Sequence, residues 1–444
     1  VTGKSKASDA PSLTDALLDD GYHVRGGVLQ IGGVDLTELA ATYGTPFYVY
    51  DLGLLRRNYR RLAGAVDGFA DIFYSVKANP RCAVAKTFVE AGAGLEIASK
   101  GELQVALNAG CDPDRIVFAG PGKGGDELEF AVSSGIGEIH LETFEEIDAV
   151  AKLGANIGKF VPVSIRVNPA AAAQGGAMRM GGKPTAFGFD EEMLAEVARK
   201  VEANNHLKLQ GLHMFAGTQI LKADVLLNQW AYGLDLAGRL ADLLNRPLKT
   251  IDLGGGLGAP YHQGDTALDL ETIASGVSDL RAKKAENPLI KDANIILEPG
   301  RFLTANAGLY VMSVRAVKES RGERFIVTDG GMHHHLAASG NLGQVIKRDY
   351  PIVAATRMNE RDRAQGHVVG PLCTPLDTLG RQTTLPKVAP GDLIAVMQSG
   401  AYGYSASPIN FLSHPAPPEI IVDDGAHHRI CDDNPCGSCT AARN

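Results

Sequence analysis

No uninterrupted apolar run in the chain approaches the roughly 18 residues needed to cross a bilayer, so a membrane span is not expected. Positive charge is not in excess either: a formal net charge of −8 removes the electrostatic footprint that nucleic-acid binding requires. The opening stretch VTGKSKASDAPSLTDALLDDGY has no apolar core of the kind a secretory signal carries, and the chain reads as cytoplasmic. A nucleotide-binding P-loop is missing, because GPGKGG and MGGKPT both depart from the GxxxxGK spacing. Cysteines are few. Cys82, Cys111 and Cys373 are widely scattered and suggest no disulfide framework. Cys431, Cys436 and Cys439 lie near His427 and His428 in a polar tail that reads as mobile with incidental thiols. Their spacing matches no common zinc pattern, and no metal site is assigned.

What is present is enough apolar surface, 45% of residues against 21% charged, for one large domain and a smaller one. From Asp71 to Arg301, eight short runs rich in Val, Ile, Leu and Phe alternate with segments of helical period. The runs are IFYSVKAN, LEIAS, IVFAG, IHLET, VSIRVNP, LQGLHMFAG, IDLGGG and IILEPGR. Stretches such as GELQVALNAG, FEEIDAVAKLG and VLLNQWAYGLDLAGRLADLL intervene, with apolar residues three and four apart. Eight strand–helix units over about 230 residues predict an α/β fold, a (β/α)8 TIM-like barrel. A doubly wound sheet is the rival, but its glycine fingerprint is missing after the first run. Beyond Arg301 come strands without long helices, LYVMSVRAVKE, RFIVTDGG, HVVGPLC, DLIAVMQSG and PEIIVDDG, which predict a C-terminal β-sandwich or β-barrel. The early segment YHVRGGVLQIGG also reads as a strand pair and is expected to join it, a pairing that local pattern does not fix. The expected division is a flexible N-terminus over 1–20, a barrel over 45–305, a β-domain from 21–44 plus 306–424, and a flexible tail over 425–444.

Reactive groups of such barrels sit at the C-terminal ends of the strands. The first run ends in Lys77, the fifth in Arg166, the sixth near His213 to Thr218, the seventh in Gly254, Gly255 and Gly256, and the eighth in Glu298 and Arg301. Three glycines after an apolar strand let backbone N–H groups approach a phosphate, although a flexible connector would read the same way. A lysine ending a strand is ordinarily a solvated cap. Sharing a mouth with a phosphate cradle, Lys77 is instead placed to form an imine with an aldehyde cofactor, and pyridoxal phosphate supplies both groups. Glu298 beside the pyridine nitrogen would keep it protonated and strengthen the electron sink, the alternative being a structural ion pair with Arg301.

The motifs SVKAN, ASKGEL, GGGLG, EPGR, GPLC and GAYG follow one another in this order between about Gly44 and Val422, nearly the whole globular part. In this the chain resembles the pyridoxal-phosphate decarboxylases typified by diaminopimelate and ornithine decarboxylase. The resemblance implies a barrel plus a β-domain, pyridoxal 5'-phosphate as cofactor, and Lys77 as the lysine that binds it. It further implies a phosphate cradle at Gly254 to Gly256, Glu298 against the pyridine nitrogen, and Gly300 and Arg301 near the phosphate or the substrate carboxylate. Tyr402 would reach the cofactor and substrate, Thr218 would stand for a phosphate-binding serine, and Glu96 and Arg166 would orient the surroundings. Cys373 matches the proton donor that family members supply across a twofold interface, so a homodimer with shared active sites is implied.

Departures from the family pattern bear on the substrate. Phe215 stands where a histidine usually stacks on the cofactor ring, with His213 as a neighbour. Thr374 replaces the acidic residue that meets a distal substrate amine, leaving Asp377 as a nearby substitute. The segment HHHLAASGNLGQVIKRDYPI offers only Arg348 and Tyr350 where diaminopimelate decarboxylases hold a distal carboxylate. The CTPLD variant is similar to decarboxylases of specialised pathways, including those acting on glutamyl-carrier proteins, so a small-molecule or carrier-bound amino-acid substrate other than meso-diaminopimelate is expected. Met178, Arg179 and Met180 in GGAMRMGGKPTAFGFD are candidates for contacting its tail. Diaminopimelate decarboxylase proper, a racemase, and a non-catalytic cofactor-binding barrel are the alternatives. Glu298 argues against the racemase, which pairs the ring nitrogen with arginine, and the long β-region argues against the simple binding protein.

Overall fold

The structure, a computed structural model, describes residues 12–170, 184–215, 217–342, 344 and 347–431, with the backbone of 178–179 and 434–438. Eight strands follow the eight apolar runs: β1 Asp71–Ser75, β2 Gly94–Ile97, β3 Ile116–Phe118, β4 Glu138–Leu141, β5 Val161–Asn168, β6 Leu207–Met214, β7 Thr250–Asp252 and β8 Asn294–Leu297. All neighbours are parallel and the ring closes, with Leu141 opposite Ile165 between β4 and β5 and Leu297 opposite Ile72 between β8 and β1. The (β/α)8 barrel expected from alternating apolar runs and helical periods is therefore the architecture.

Local chemistry starts and stops the helices between the strands. Ser99, Thr143 and Asp269 accept N–H groups of the first turns, and Gly158 and Asn245 end their helices in the left-handed region. The helix Ala223–Leu244 buries a stripe of Leu226, Trp230, Leu234, Ala237 and Ala241, which covers the sheet as its period requires. Inside the ring Phe73, Val117 and Ile296 form an apolar cluster. Towards the C-terminal strand ends the interior becomes polar, with Ser75, Glu96, His140, Ser164, His213, Asp252 and Glu298 all buried.

The barrel unit spans 55–259, 267–305 and the chain from Ile430, and a second unit comprises the chain up to Leu54 with 260–266 and 306–429. The barrel thus begins later than residue 45. The reason lies in Phe47–Asp51, whose five residues are all buried and which pairs antiparallel with Gly308–Ser320 and parallel with Glu419–Asp423. In the same sheet Gly308–Ser320 joins Glu323–Thr328 and Leu393–Val396, and Arg363–Val369 pairs with Thr378–Pro386. The early strand pair forms as His23–Arg25 against Val28–Ile31.

Two segments expected to be flexible carry regular structure. Residues Leu13–Gly21 form a helix that Ser12 caps and that buries Leu13 and Leu17. Ala426–Cys431 pairs with Glu419–Asp423, and Asn434–Ser438 runs beside the helix Cys82–Glu90. Cys82 and Cys431 are each disulfide-bonded, which corrects the expectation of incidental thiols, whereas Cys111 and Cys373 are free. Among the described residues no helix is long and apolar enough to cross a membrane.

Candidate active site

β1 runs directly into a single turn, Val76–Ala78, that lifts Lys77 onto the C-terminal mouth of the barrel. Ser75 is in register with Glu96 on β2, so the acid lies next to the lysine. Lys77 Nζ reaches both Glu96 oxygens, at 3.0 and 2.9 Å, and Ser75 Oγ donates to Oε2 at 2.5 Å. The Lys77 side chain is 45% exposed while Glu96 is 1% exposed. Glu96 thus holds the ammonium while the side chain stays accessible, as a group that must react with an incoming carbonyl needs to be.

At the opposite wall the glycine run is required by the backbone. Gly254 and Gly256 have φ of +68° and +92°, and a Cβ on either would come within 2.6 Å of a neighbouring carbonyl oxygen. Gly254 donates its N–H to Asp252 Oδ1 at 2.8 Å. The adjoining turn is equally tight: a Cβ on Gly300 would sit 2.9 Å from Ala78 Cβ, so glycine lets the EPGR turn lie against the Lys77 turn. Glu298 is buried, with Oε2 3.3 Å from His213 Nε2 and Oε1 accepting no protein N–H. Burial opposes its ionisation, but the polar contact with His213 and the charge of Lys77 hold it below the usual carboxylate range. Burial lowers His213 to about 4, so this imidazole is neutral at physiological pH.

Arg166 on β5 donates to Glu142 at 2.7 Å and lies over the Phe187 ring. Glu142 also accepts the N–H groups of Gly120 at 2.6 Å and Gly188 at 3.1 Å, tying three loops at the barrel mouth. Burial opposes its charge, yet Arg166 and Lys123 keep it ionised below the usual range. Phe215 follows β6, and Thr218 pairs with Met178 across a short ladder, which brings the backbone of the glycine-rich segment to the site; Met180 lies outside the described residues. Arg301 is half-buried at the start of a one-turn helix.

Lys77, Glu96, Arg166, His213, Phe215, Thr218, Gly254, Gly255, Gly256, Glu298, Gly300 and Arg301 all belong to the barrel unit, and Cys373, Thr374, Asp377 and Tyr402 to the other. Cys373 is an exposed free thiol. Tyr402 has φ of +53°, a strained value for a residue with a side chain. Thr374 Oγ1 accepts the Leu376 N–H at 3.3 Å. Asp377 is buried, and its two oxygens accept the N–H groups of Met332 at 2.6 Å and Leu372 at 2.8 Å, so its carboxylate joins two loops.

Four polar residues of the barrel interior escaped the reading by motif: Glu138, His140, Glu142 and Asp252. Their signal was alternation, since Glu138, His140 and Glu142 recur at every second position of a strand whose other residues are Ile139 and Leu141.

A barrel with a carboxylate-pinned lysine just past its first strand, a glycine cradle after the seventh and a buried carboxylate after the eighth has the groups that an aldehyde-phosphate cofactor needs. Residues 52–305 match the family model described as pyridoxal-dependent decarboxylase, pyridoxal binding domain, and the chain belongs to that family. It is a carboxy-lyase that uses pyridoxal 5'-phosphate. Among curated proteins, the L-glutamyl-(BtrI acyl-carrier protein) decarboxylase of Niallia circulans is 38% identical over 90% of this chain and 94% of its own. A diaminopimelate decarboxylase of Methanothermobacter thermautotrophicus is 33% identical over 90% and 91%. The Helicobacter pylori diaminopimelate decarboxylase, solved with L-lysine, superposes with a TM-score of 0.80 at 29% identity, covering 89% of this chain and 95% of that one. The family settles the reaction class in favour of decarboxylation over racemisation or simple cofactor binding.

Proposed function

We propose that the enzyme removes the α-carboxylate of an amino acid whose far end is acyl-linked, an L-glutamyl group on a carrier protein being the fitting case, rather than that of free meso-diaminopimelate. One observation carries this reading: among the described residues, the charged groups considered for a free distal end are already committed. Thr374 is neutral, and Asp377 is occupied by two backbone N–H groups. Arg348 faces Asp265 at 3.5 Å, and Arg381 is held by Asp349 at 2.6 Å. A distal ammonium without a carboxylate partner would lose about 2–5 kcal/mol. The similarity to a glutamyl-carrier decarboxylase points the same way.

The residues present fit the cofactor. Lys77 would hold its aldehyde carbon, with Glu96 keeping the amine in place between turnovers. Gly255 and Gly256, with Thr218, would hold the phosphate, since the Gly254 N–H is spent on Asp252. Glu298 would hold the proton on the ring nitrogen, Phe215 would cover one ring face, and Arg166 and Arg301 would set the surroundings. When bound, pyridoxal phosphate supplies the electron sink for the bond broken at Cα. Cys373 Sγ, in a homodimer with shared sites, would return a proton to Cα, and Tyr402 would border the substrate.

Carbon dioxide release by the cofactor-loaded enzyme, compared for free L-glutamate, meso-diaminopimelate and an L-glutamyl thioester on a phosphopantetheinylated carrier protein, tests the proposal. The thioester should be turned over fastest. Preferential release from meso-diaminopimelate would replace this reading with diaminopimelate decarboxylase.

A further inference from the structure

Parallel barrels usually fill their interiors with layers of branched apolar side chains. Here the apolar cluster of Phe73, Val117 and Ile296 gives way to a column of ionisable groups. β4 turns Glu138 and His140 inwards, β7 Thr250 and Asp252, and β6 His213, with Glu298 just past the end of β8. Glu138, His140, His213, Asp252 and Glu298 are all at most 5% exposed. The contacts run in sequence along the column. Thr250 Oγ1 donates to Glu138 Oε2 at 2.7 Å, and Glu138 Oε1 lies 3.6 Å from His140 Nε2. His140 Nε2 lies 3.8 Å from Asp252 Oδ2, and its ring stacks on His213 at 4.3 Å. His213, Asp252, His140 and Glu298 converge so closely that one N or O atom from each lies within 4.8 Å of the others.

Five such groups cannot all be charged at this depth, because each unpaired ion would cost several kcal/mol of desolvation. The Asp252 and Glu298 carboxyl groups come within 4.8 Å of each other in this buried space, and two anions that close cannot both persist there, which requires a proton on the pair. We propose that Asp252 is the member of the pair that carries this proton, and that it donates a hydrogen bond fixing the Glu298 carboxylate as the anion that would hold the proton of the cofactor's ring nitrogen. Asp252 is thus a positioning residue, anchored by the Gly254 N–H on one oxygen and facing His140 on the other. Burial and the charge of Glu298 push Asp252 well above the ordinary aspartate range, whereas Glu298 lies below the range of a glutamate. The other groups facing the pair agree with this assignment: His213 is neutral, Glu138 bonds Thr250, and the cations Arg166 and Lys77 act on His213 and Glu298. The same arrangement links the phosphate cradle to the ring-nitrogen site, because one side chain holds both Gly254 and Glu298. This assignment rests on the reading of Glu298 given above.

Asp252→Asn and Asp252→Ala separate the possibilities. An asparagine amide keeps a donor towards Glu298, so D252N should retain the visible absorbance band of the bound cofactor, its pH profile, and kcat within about threefold. D252A removes the donor and should shift that band and lower kcat by about 10- to 100-fold with KM little changed. In cofactor-free protein, D252N should melt with the wild type across neutral pH and D252A well below it. D252N falling to the level of D252A in band and melting would show that Asp252 acts as an anion and would overturn the proposal. D252A matching the wild type would overturn it as well. If D252A does not fold, D252N decides alone. Failure of the wild type to take up pyridoxal phosphate would instead remove the reading of Glu298, while the cofactor-free comparison still decides which carboxyl group holds the proton.

Discussion

Both units bury titratable side chains, but they treat them in opposite ways. In the β-unit nearly every such group is satisfied by a neighbour. His334 accepts from the Tyr310 hydroxyl at 3.1 Å and faces the Pro415 carbonyl at 3.1 Å, and His335 lies between the Ala338 N–H and Ser399 Oγ. Tyr50 donates to Glu419 at 2.7 Å, and Asp377 takes two backbone N–H groups; among the described residues His333 and one nitrogen of Arg324 are exceptions. In the barrel, ring nitrogens of His140 and His213 and oxygens of Asp252 and Glu298 are buried without such partners. Fully bonded polar groups specify a fold, whereas under-satisfied ones are a reserve for a ligand or a proton. The contrast locates the chemistry in the barrel without appeal to any motif.

Substitutions can break this contrast at either end. The largest effect is expected from Lys77→Ala, which should lower carbon dioxide release by about 10⁴-fold and abolish covalent trapping of the cofactor on the protein by borohydride. Glu298→Gln should cost about 10³-fold in kcat with unchanged folding, since it removes charge where the reaction needs it rather than a structural bond. Full activity in that variant would mean that the Glu298 carboxylate is as structural as those of the β-unit. Asp377→Ala should instead destabilise the protein by about 3 kcal/mol in denaturant unfolding by stranding two buried N–H groups. Unchanged stability would show that its backbone bonds are dispensable.

The smallest effect sharpens the contrast through pH. Burial lowers His334 and His335 each to about 3, against an unfolded value near 6.5. The unfolded chain therefore binds protons that the folded chain refuses, so stability is complete above about pH 6.5 and falls as pH drops towards 3. Melting midpoints should decline over that window, and His335→Gln should flatten the slope by about one proton. An unaltered slope would show that His335 is not the group being charged.

Much of the barrel could be read directly. Apolar runs alternating with helical periods dictate parallel strands with covering helices, and the strand ends carry Lys77, Arg166, Gly254 and Glu298 because a barrel exposes only those ends. The boundary near residue 45 misled because FYVYD looks like any buried strand, and only its pairing with Gly308–Ser320 and Glu419–Asp423 assigns it to the other sheet. Asp377 illustrates the same limit. From its spacing after Cys373 it reads as a substrate ligand, yet its partners are backbone amides 45 and 5 residues away.

The sequence by itself determined the repeating unit, the lysine, the glycine run and the acid after the eighth strand, because these depend on local period and on motifs contiguous in the chain. Tertiary structure alone decided that Glu96 pins Lys77, that Glu142 ties three loops, and that His140, His213, Asp252 and Glu298 share one buried space. Those residues come from different strands, and their protonation follows from burial and mutual distance, which no spacing along the chain encodes.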